Sequence, residues 1–178
     1  MNYRLSEVLI DEGRLHRRVG EIAAEVSRDH QGRELIIVGV LKGAVLFLSD
    51  LIREMDISVC VKIDFIAVSS YGASTKSSGV VKIVKDLDSD IKGKDVLLVE
   101  DIVDSGLTLS YLVKLLSERS PRSLRTCVLL DKPDRRQVQV QVDYRGFSIP
   151  DEFVVGYGLD YAGLWRNLPA IFTLKTEA

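Results

Sequence analysis

The stretch "VLLVEDIVDSGLTL", residues 96–109, combines an apolar run, a polar turn and the start of an amphipathic segment. Its four leading aliphatic residues predict a buried strand over 95–100. Two adjacent carboxylates, Glu100 and Asp101, stand where that strand is expected to end, and Asp104 precedes a Ser-Gly-Leu-Thr turn. Leucines at helical spacing then predict a helix over 107–118. A strand followed directly by a helix is the repeating unit of a parallel α/β sheet.

The rest of the chain continues this alternation of strands and helices. The other predicted helices cover 14–28 and 43–55, and the other predicted strands cover 34–40, 58–68, 80–85, 124–130, 153–156 and 170–174. We therefore expect an α/β fold with a mostly parallel twisted sheet flanked by helices on both faces. A length of 178 residues with 46% apolar residues suits one domain over 1–178.

Composition and charge exclude several functional classes. The 24 basic and 26 acidic residues give a net charge of −2, so no overall basic field favours binding to nucleic acid or to a membrane surface. No apolar run reaches the roughly 18 residues of a membrane span, and we expect a soluble cytoplasmic protein. Cys60 and Cys127 lie in apolar runs and are predicted to be buried free thiols.

Polar residues follow four of the predicted strands. Leu41-Lys42-Gly43, Ser70-Tyr71, Glu100-Asp101 and Asp131-Lys132 each come where a strand is expected to end. Parallel α/β sheets bind ligands outside the carboxyl ends of their strands. The sequence therefore predicts one shared site at that edge.

The "DSGLT" turn has the chemistry of an anion site. Free N–H groups and the positive dipole end at a helix start favour phosphate, and Gly106 lets the backbone approach it. Ser105 and Thr108 add hydroxyl donors. The turn has neither the lysine of a Walker A loop nor G-x-G-x-x-G spacing, which favours a monophosphate.

The neighbouring acids would repel that phosphate. Glu100 and Asp101 are instead good acceptors for a vicinal diol, and a diol beside a phosphate suggests a ribose 5-phosphate. Asp104 lies between the two and is placed to take a proton from a group bound above the sugar. Taken alone, Asp104 is better explained as a helix N-cap, because an Asp before a helix most often has that role, and it is the full motif that favours a functional role.

These motifs carry a family resemblance. "VLLVEDIVDSGLTL" resembles the phosphoribosyl-diphosphate (PRPP) loop of type I phosphoribosyltransferases. Further motifs are similar to the hypoxanthine-guanine phosphoribosyltransferases, namely "LKGA" (41–44), "SSYG" (69–72), "LLDKP" (129–133), "FVVGYGLDY" (153–161) and "RNLP" (166–169). The similarity covers residues 8 to 174, nearly the whole chain.

The resemblance implies a set of contacts to PRPP. The ribose 5-phosphate would be bound by Glu100, Asp101, Asp104, Ser105, Gly106, Leu107 and Thr108. Pyrophosphate would be bound by Leu41, Lys42, Gly43 and Arg166, and the family often has the Leu41-Lys42 peptide in the cis form. The implied cofactor is Mg²⁺, held by Glu100, Asp101 and Asp160.

The resemblance also implies how a purine is bound and what reaction follows. Lys132 would contact the 6-oxo group, Phe153 would stack on the ring, Val154 and Asp160 would line the 2-position side, and Asp104 would act near N7. A small hood would cover the sheet, and the Ser-rich segment 69–79, with Ser70 and Tyr71, would form a mobile lid. The implied reaction joins PRPP to N9 of hypoxanthine or guanine for purine salvage.

Two alternatives remain open at this point. One is a xanthine-preferring relative, and the other is a PRPP-sensing, RNA-binding regulator, which would favour a basic face. The expected partners are PRPP and 6-oxopurine bases without nucleic acid or membrane, and the expected assembly is a homodimer or homotetramer.

Overall fold

The computed structural model describes residues 3–70 and 81–176. The strands are β1 (Tyr3–Ile10), β2 (Glu34–Leu41), β3 (Cys60–Ser70), β4 (Val81–Lys85), β5 (Asp95–Val103), β6 (Ser123–Asp131), β7 (Tyr144–Ser148), β8 (Val154–Val155) and β9 (Ile171–Thr176). The α-helices are α1 (Glu12–Asp29), α2 (Val45–Arg53) and α3 (Leu107–Ser117), and a 3₁₀ turn covers Pro133–Arg135.

Six strands form the main sheet in the order β4-β3-β2-β5-β6-β7. All neighbours are parallel except β3 and β4, which are antiparallel. Residues 35–40 of β2 and 95–100 of β5 are buried without a break, as expected for central strands covered on both faces. The predicted mostly parallel sheet is confirmed.

Helices cover both faces of this sheet. Leu35 and Ile37 of β2 pack in a cluster with α1 and α2, whereas Ile36 and Val38 pack in a second cluster with α3. This division follows from the strand period of two, which sends successive side chains to opposite faces. Within residues 3–70 and 81–176, no helix is long and apolar enough to cross a membrane.

A separate antiparallel sheet, β1-β9-β8, corrects the predicted arrangement of the C-terminal strands. The predicted strands at 153–156 and 170–174 do not continue the main sheet, because β9 pairs with β1 from Tyr3↔Thr176 to Ile10↔Ile171. Neither β1 nor β7 was predicted. This small sheet corresponds to the expected hood.

The two cysteines differ from each other. Cys127 is buried in β6, as predicted, and burial raises the pKa of its thiol. The prediction for Cys60 is wrong, since this residue is exposed at the first position of β3. An apolar run predicts a strand, but it does not indicate whether the residue at the first position of that strand is buried.

Candidate active site

Two neighbouring carboxylates lie near the end of β5, with Glu100 buried and Asp101 partly buried. The strand continues to Val103, so Glu100 and Asp101 lie within it and not beyond its end. Glu100 is buried, and its Oε2 has no hydrogen-bond partner within residues 3–70 and 81–176. Desolvation together with the charge of Asp101 raises the pKa of Glu100 well above its usual value. Burial likewise raises the pKa of Asp101 to about 6. Asp101 Oδ1 accepts the Ile102 N–H at 3.0 Å, whereas the buried Glu100 Oε2 indicates a place where a ligand supplies the partner.

The loop after β5 leads into α3 through a left-handed glycine. Gly106 has φ +84° and is the N-cap of α3, and a Cβ there would lie 2.5 Å from the carbonyl oxygen of Val138. Only glycine suits both constraints. A cleft of about 250 Å³ opens here, lined by Glu100, Asp101, Ile102, Val103, Asp104, Ser105, Gly106, Thr108 and Leu109. The predicted diol-binding acids and most predicted phosphate-binding residues therefore line one cleft at a helix N-terminus.

Asp104 is not the N-cap of α3. Its carboxylate is paired with Arg135, with Nε 3.1 Å from Oδ1. The side chain of Asp104 is 45% exposed and remains accessible at the mouth of the cleft. The N-cap interpretation of Asp104 is therefore wrong, and its carboxylate is available for chemistry.

Lys132 lies beside this cleft, immediately after β6. Its backbone N–H donates to the carbonyl of Val103 at 2.9 Å, which fixes the residue to the end of β5. The side chain is only 8% exposed, and its Nζ lies 4.0 Å from Oδ1 of Asp151. A buried ammonium carries only donors and favours an acceptor from a ligand.

The segment after β2 packs directly on Asp101. The Leu41-Lys42 peptide is cis, and a Cβ added to Gly43 would overlap the carboxylate of Asp101. A Cβ added to Gly158 would in turn overlap the carbonyl oxygen of Gly43. Gly43, one of the predicted pyrophosphate residues, thus packs against Asp101, one of the predicted ribose-binding acids.

Arg166 and Asp160 form an ion pair close to the same acids. Nη2 of Arg166 lies 2.5 Å from Oδ1 of Asp160, and its Nη1 donates to the carbonyl of Gly158 at 2.6 Å. Their charges act on Asp101 in opposite directions, because Arg166 lowers and Asp160 raises its pKa. The structure therefore brings both predicted residues to the cleft.

An aromatic row leads away from Phe153, which is 50% exposed. Tyr161 meets its ring edge-on at a centroid distance of 5.6 Å, and Trp165 stacks on Tyr161 at 6.2 Å. Val154 beside it is buried in β8. The sequence analysis did not single out Tyr161 or Trp165, although aromatic residues four apart in "DYAGLW" were a readable signal.

Most of the predicted lid lies outside the described residues. Ser70 is the last residue of β3, and residues 71–79, including Tyr71, are not among the described residues. A larger cavity of about 720 Å³ lies between α1, α2 and residues 167–169, and it is lined by none of the predicted site residues. The chemistry is therefore concentrated in the smaller cleft.

The donor set at the cleft suits a hard cation. Among residues 3–70 and 81–176, no group of three or more His, Cys, Asp or Glu side chains is arranged as a complete metal site. Mg²⁺ is commonly held by one or two carboxylates together with substrate phosphates. The unpartnered Glu100 Oε2 and the neighbouring Asp101 fit that mode of binding.

Comparison with known proteins agrees with this geometry. The family described as "Phosphoribosyl transferase domain" matches residues 9–162. The chain is 50% identical over 175 residues to the hypoxanthine-guanine phosphoribosyltransferase of Bacillus subtilis, covering 98% of this chain and 96% of that protein. It is also 50% identical to the bifunctional protein TilS/HprT of Listeria monocytogenes, of whose length it spans only 27%.

A solved structure gives the same result. A Bacillus anthracis hypoxanthine-guanine phosphoribosyltransferase superposes with a TM-score of 0.91 at 46% identity, covering 98% of this chain and 100% of that one. With this coverage, the likeness extends over both the main sheet and the small sheet. The chain therefore belongs to the phosphoribosyltransferase family, among the hypoxanthine-guanine phosphoribosyltransferases.

Proposed function

We propose that this chain transfers the 5-phosphoribosyl group of PRPP to N9 of hypoxanthine or guanine, releasing pyrophosphate and forming IMP or GMP. The observation that carries the proposal is the cleft at the end of β5. There, a buried carboxylate oxygen without a partner among the described residues lies close to a glycine-capped helix N-terminus, and the buried Lys132 lies beside them. The names of the relatives support the same activity.

Residues of the cleft bind the ribose 5-phosphate in this proposal. The first turn of α3, with Ser105 and Thr108, donates hydrogen bonds to the phosphate, because N–H groups at a helix start have no intrahelical partner. Glu100 and Asp101 accept hydrogen bonds from the ribose hydroxyls. Such a hydroxyl gives Glu100 Oε2 the partner that it lacks among the described residues.

Pyrophosphate leaves toward the segment that packs on Asp101. Lys42 is exposed beside Gly43 and, with Arg166, stabilises the negative charge that grows as the C1–O bond breaks. Glu100, Asp101 and Asp160 are the residues that would hold Mg²⁺. When bound, the ion would neutralise charge on the pyrophosphate oxygens.

The purine binds on the opposite side of the cleft. Phe153 presents a half-exposed ring for stacking, and Lys132 donates to the 6-oxo group. As N9 bonds to C1 of the ribose, the electron pair of the C1–O bond leaves with pyrophosphate. The proton on N7 of the purine passes to Asp104, whose carboxylate is accessible.

A base-selectivity assay tests this function. PRPP and Mg²⁺ are supplied with hypoxanthine, guanine, xanthine or adenine in turn, and nucleotide formation is followed by absorbance. Adenine places N–H donors opposite the Lys132 ammonium, so its kcat/KM should be lower than that of hypoxanthine by a factor on the order of 10³. Equal rates for adenine and hypoxanthine would contradict the assignment, and preferential turnover of xanthine would shift it to that base.

Lys132→Ala tests the cause of the selectivity. The substitution should strongly lower kcat/KM for hypoxanthine and guanine and leave the trace activity on adenine level or slightly raised. An attraction is removed in the first case and a repulsion in the second. Equal losses on all bases would assign Lys132 to the fold or to PRPP binding.

We further propose that the protein is cytoplasmic and assembles as a homodimer or homotetramer. The supporting observations are the family membership and the lack, in the described part of the chain, of a helix suited to a membrane. Sedimentation of the purified protein would distinguish the two assemblies from a monomer.

A further inference from the structure

The segment 132–138 after β6 is bonded along its length to the loop that carries Asp104. Besides the bond from Lys132 to Val103, the N–H groups of Gln137 and Val138 donate to the carbonyl of Ser105 at 2.9 and 3.1 Å. Arg136 donates from Nη1 to the carbonyl of Asp104 at 3.3 Å. The two segments therefore form one unit, with Arg135 at its centre.

Four side chains of alternating charge form a chain of contacts from Lys132 to Asp104, the two residues proposed to bind the purine. Nε of Arg135 lies 3.1 Å from Oδ1 of Asp104, and Nη1 of Arg135 lies 3.4 Å from Oδ2 of Asp151. The other oxygen of Asp151 lies 4.0 Å from Nζ of Lys132. The charge on Asp104 is the largest cause of the raised pKa of Arg135, ahead of the hydrogen bond to Asp151. The chain of contacts runs Lys132, Asp151, Arg135, Asp104.

Stability alone does not account for this network. The side chains of Arg135, Asp104 and Asp151 are 49%, 45% and 49% exposed, and exposed ion pairs contribute little to folding. Only Lys132 is buried. What the network does fix is the position of one carboxylate relative to one ammonium.

A 6-oxopurine needs that pair at a fixed spacing. Its 6-oxo oxygen accepts a hydrogen bond, and the neighbouring N7–H donates one, so the protein must offer a donor and an acceptor side by side. The planar guanidinium holds Oδ1 of Asp104 and leaves Oδ2 to face N7. Small errors in such a placement lower rates by large factors.

We propose that Arg135 is a positioning residue that, through Asp151, holds the Asp104 carboxylate at a fixed spacing from the Lys132 ammonium. This inference rests on the proposed function, because it concerns how the same site reads the purine. Arg135 itself need not touch the substrate. It orients the group that receives the N7 proton.

Arg135→Ala should lower kcat with hypoxanthine by about 10- to 100-fold while the KM for PRPP stays within about twofold. Arg135→Lys, which keeps the charge but not the planar fork, should restore only part of the loss. Arg119→Ala is the matched control, because Arg119 is also a surface arginine, paired with Asp86 at 2.9 Å at the far end of α3. The control should retain wild-type kinetics, and both alanine variants should melt within a few degrees of the wild type.

A double-mutant cycle separates positioning from a general structural role. In an Asp104→Asn background, Arg135→Ala should cause little further loss, since the group that it positions is already gone. The inference is overturned if Arg135→Ala is as active as Arg119→Ala, or if it causes the same fold loss in both backgrounds. Should the wild type form no nucleotide from PRPP and any purine, the proposed function itself fails, which is a different outcome.

Asp151→Asn provides a second approach to the same network. It removes the carboxylate between Arg135 and Lys132, and it should lower kcat in the same direction but by less than Arg135→Ala, because the Asp104 contact remains. Wild-type kcat in both Arg135→Ala and Asp151→Asn would contradict the proposed positioning role.

Discussion

The carboxylates at the two ends of β5 lie in opposite environments. At the start of the strand, Asp95 is buried but accepts hydrogen bonds from Arg122 Nε at 2.8 Å and from the Ser123 hydroxyl at 2.7 Å, with Arg33 4.0 Å away. The hydrogen bond with Arg122 is the main cause that lowers the pKa of Asp95 to about 2. At the other end, Glu100 Oε2 has no hydrogen-bond partner in the described part of the chain, and desolvation raises the pKa of Asp101 to about 6.

This contrast separates stability from function along one strand. A buried carboxylate that the protein pairs with its own arginine stabilises the fold, whereas one left without a partner destabilises the ligand-free protein. The second arrangement is retained where a ligand supplies the missing partner. Buried, unpaired acids therefore locate the site more specifically than acids at strand ends in general.

The largest expected effect concerns the third carboxylate at the functional end. Asp104→Asn should lower kcat by about 10² to 10⁴, the range for a lost general acid or base, while PRPP affinity changes only a few-fold. Stability should barely change, because the Asp104 side chain is 45% exposed. Steady-state kinetics with hypoxanthine and a thermal melt measure both quantities. An unchanged kcat would limit Asp104 to its ion pair with Arg135.

Substitutions at the two ends of β5 should change the free energy of unfolding by smaller amounts and in opposite directions. Asp95→Asn should lower the free energy of unfolding by about 2 kcal/mol, since it leaves Arg122 without its buried partner. Asp101→Asn should raise it by about 1–2 kcal/mol at pH 7 in the absence of ligand and metal, because it removes a poorly solvated charge. Urea unfolding measures both, and changes of the same sign would contradict the comparison.

The pH dependence of stability sharpens the same comparison. The pKa of Asp101 is about 6 in the folded protein and near 4 when unfolded, so the folded state binds more protons and stability falls as pH rises from 4 to 6. The pKa of Asp95 is about 2, so its contribution is present above pH 4 and is lost as pH falls toward 2. Asp95→Asn should remove only the acid part of the profile, as measured by urea midpoints in chelator. Asp101→Asn should remove the fall in stability between pH 4 and 6, and it should also lower the pKa of Glu100, because the charge of Asp101 raises that pKa.

The parts of the fold that depend on local pattern were predictable. Continuous apolar runs located β2 and β5, and helical spacing located α1 and α3 to within about two residues. The strands β8 and β9 were predicted, but their pairing with β1 in a separate sheet was not, because β1 and β9 come from opposite ends of the chain. Such pairing depends on tertiary contacts that no local window contains.

The site residues also divide into those that local sequence predicts and those that depend on tertiary contacts. The glycine, hydroxyls and carboxylates in "EDIVDSGLT" indicated a phosphate-and-diol site from their chemistry alone, and the structure places them around one cleft. Arg135 and Asp151 were missed, because charged residues outside a strand end read as ordinary surface groups. Their contacts to Asp104 and Lys132 appear only after β6 lies beside β5.

Calorimetric titration of PRPP with Mg²⁺ into the wild type, Asp101→Asn and Asp95→Asn tests the central claim most directly. The account predicts that Asp101→Asn weakens PRPP binding at least tenfold, about 1.4 kcal/mol, since the ribose loses a charged acceptor. Asp95→Asn, although less stable, should bind PRPP as the wild type does below its melting temperature. Wild-type affinity in Asp101→Asn, or an equal loss in Asp95→Asn, would contradict the assignment of stability and function to opposite ends of β5.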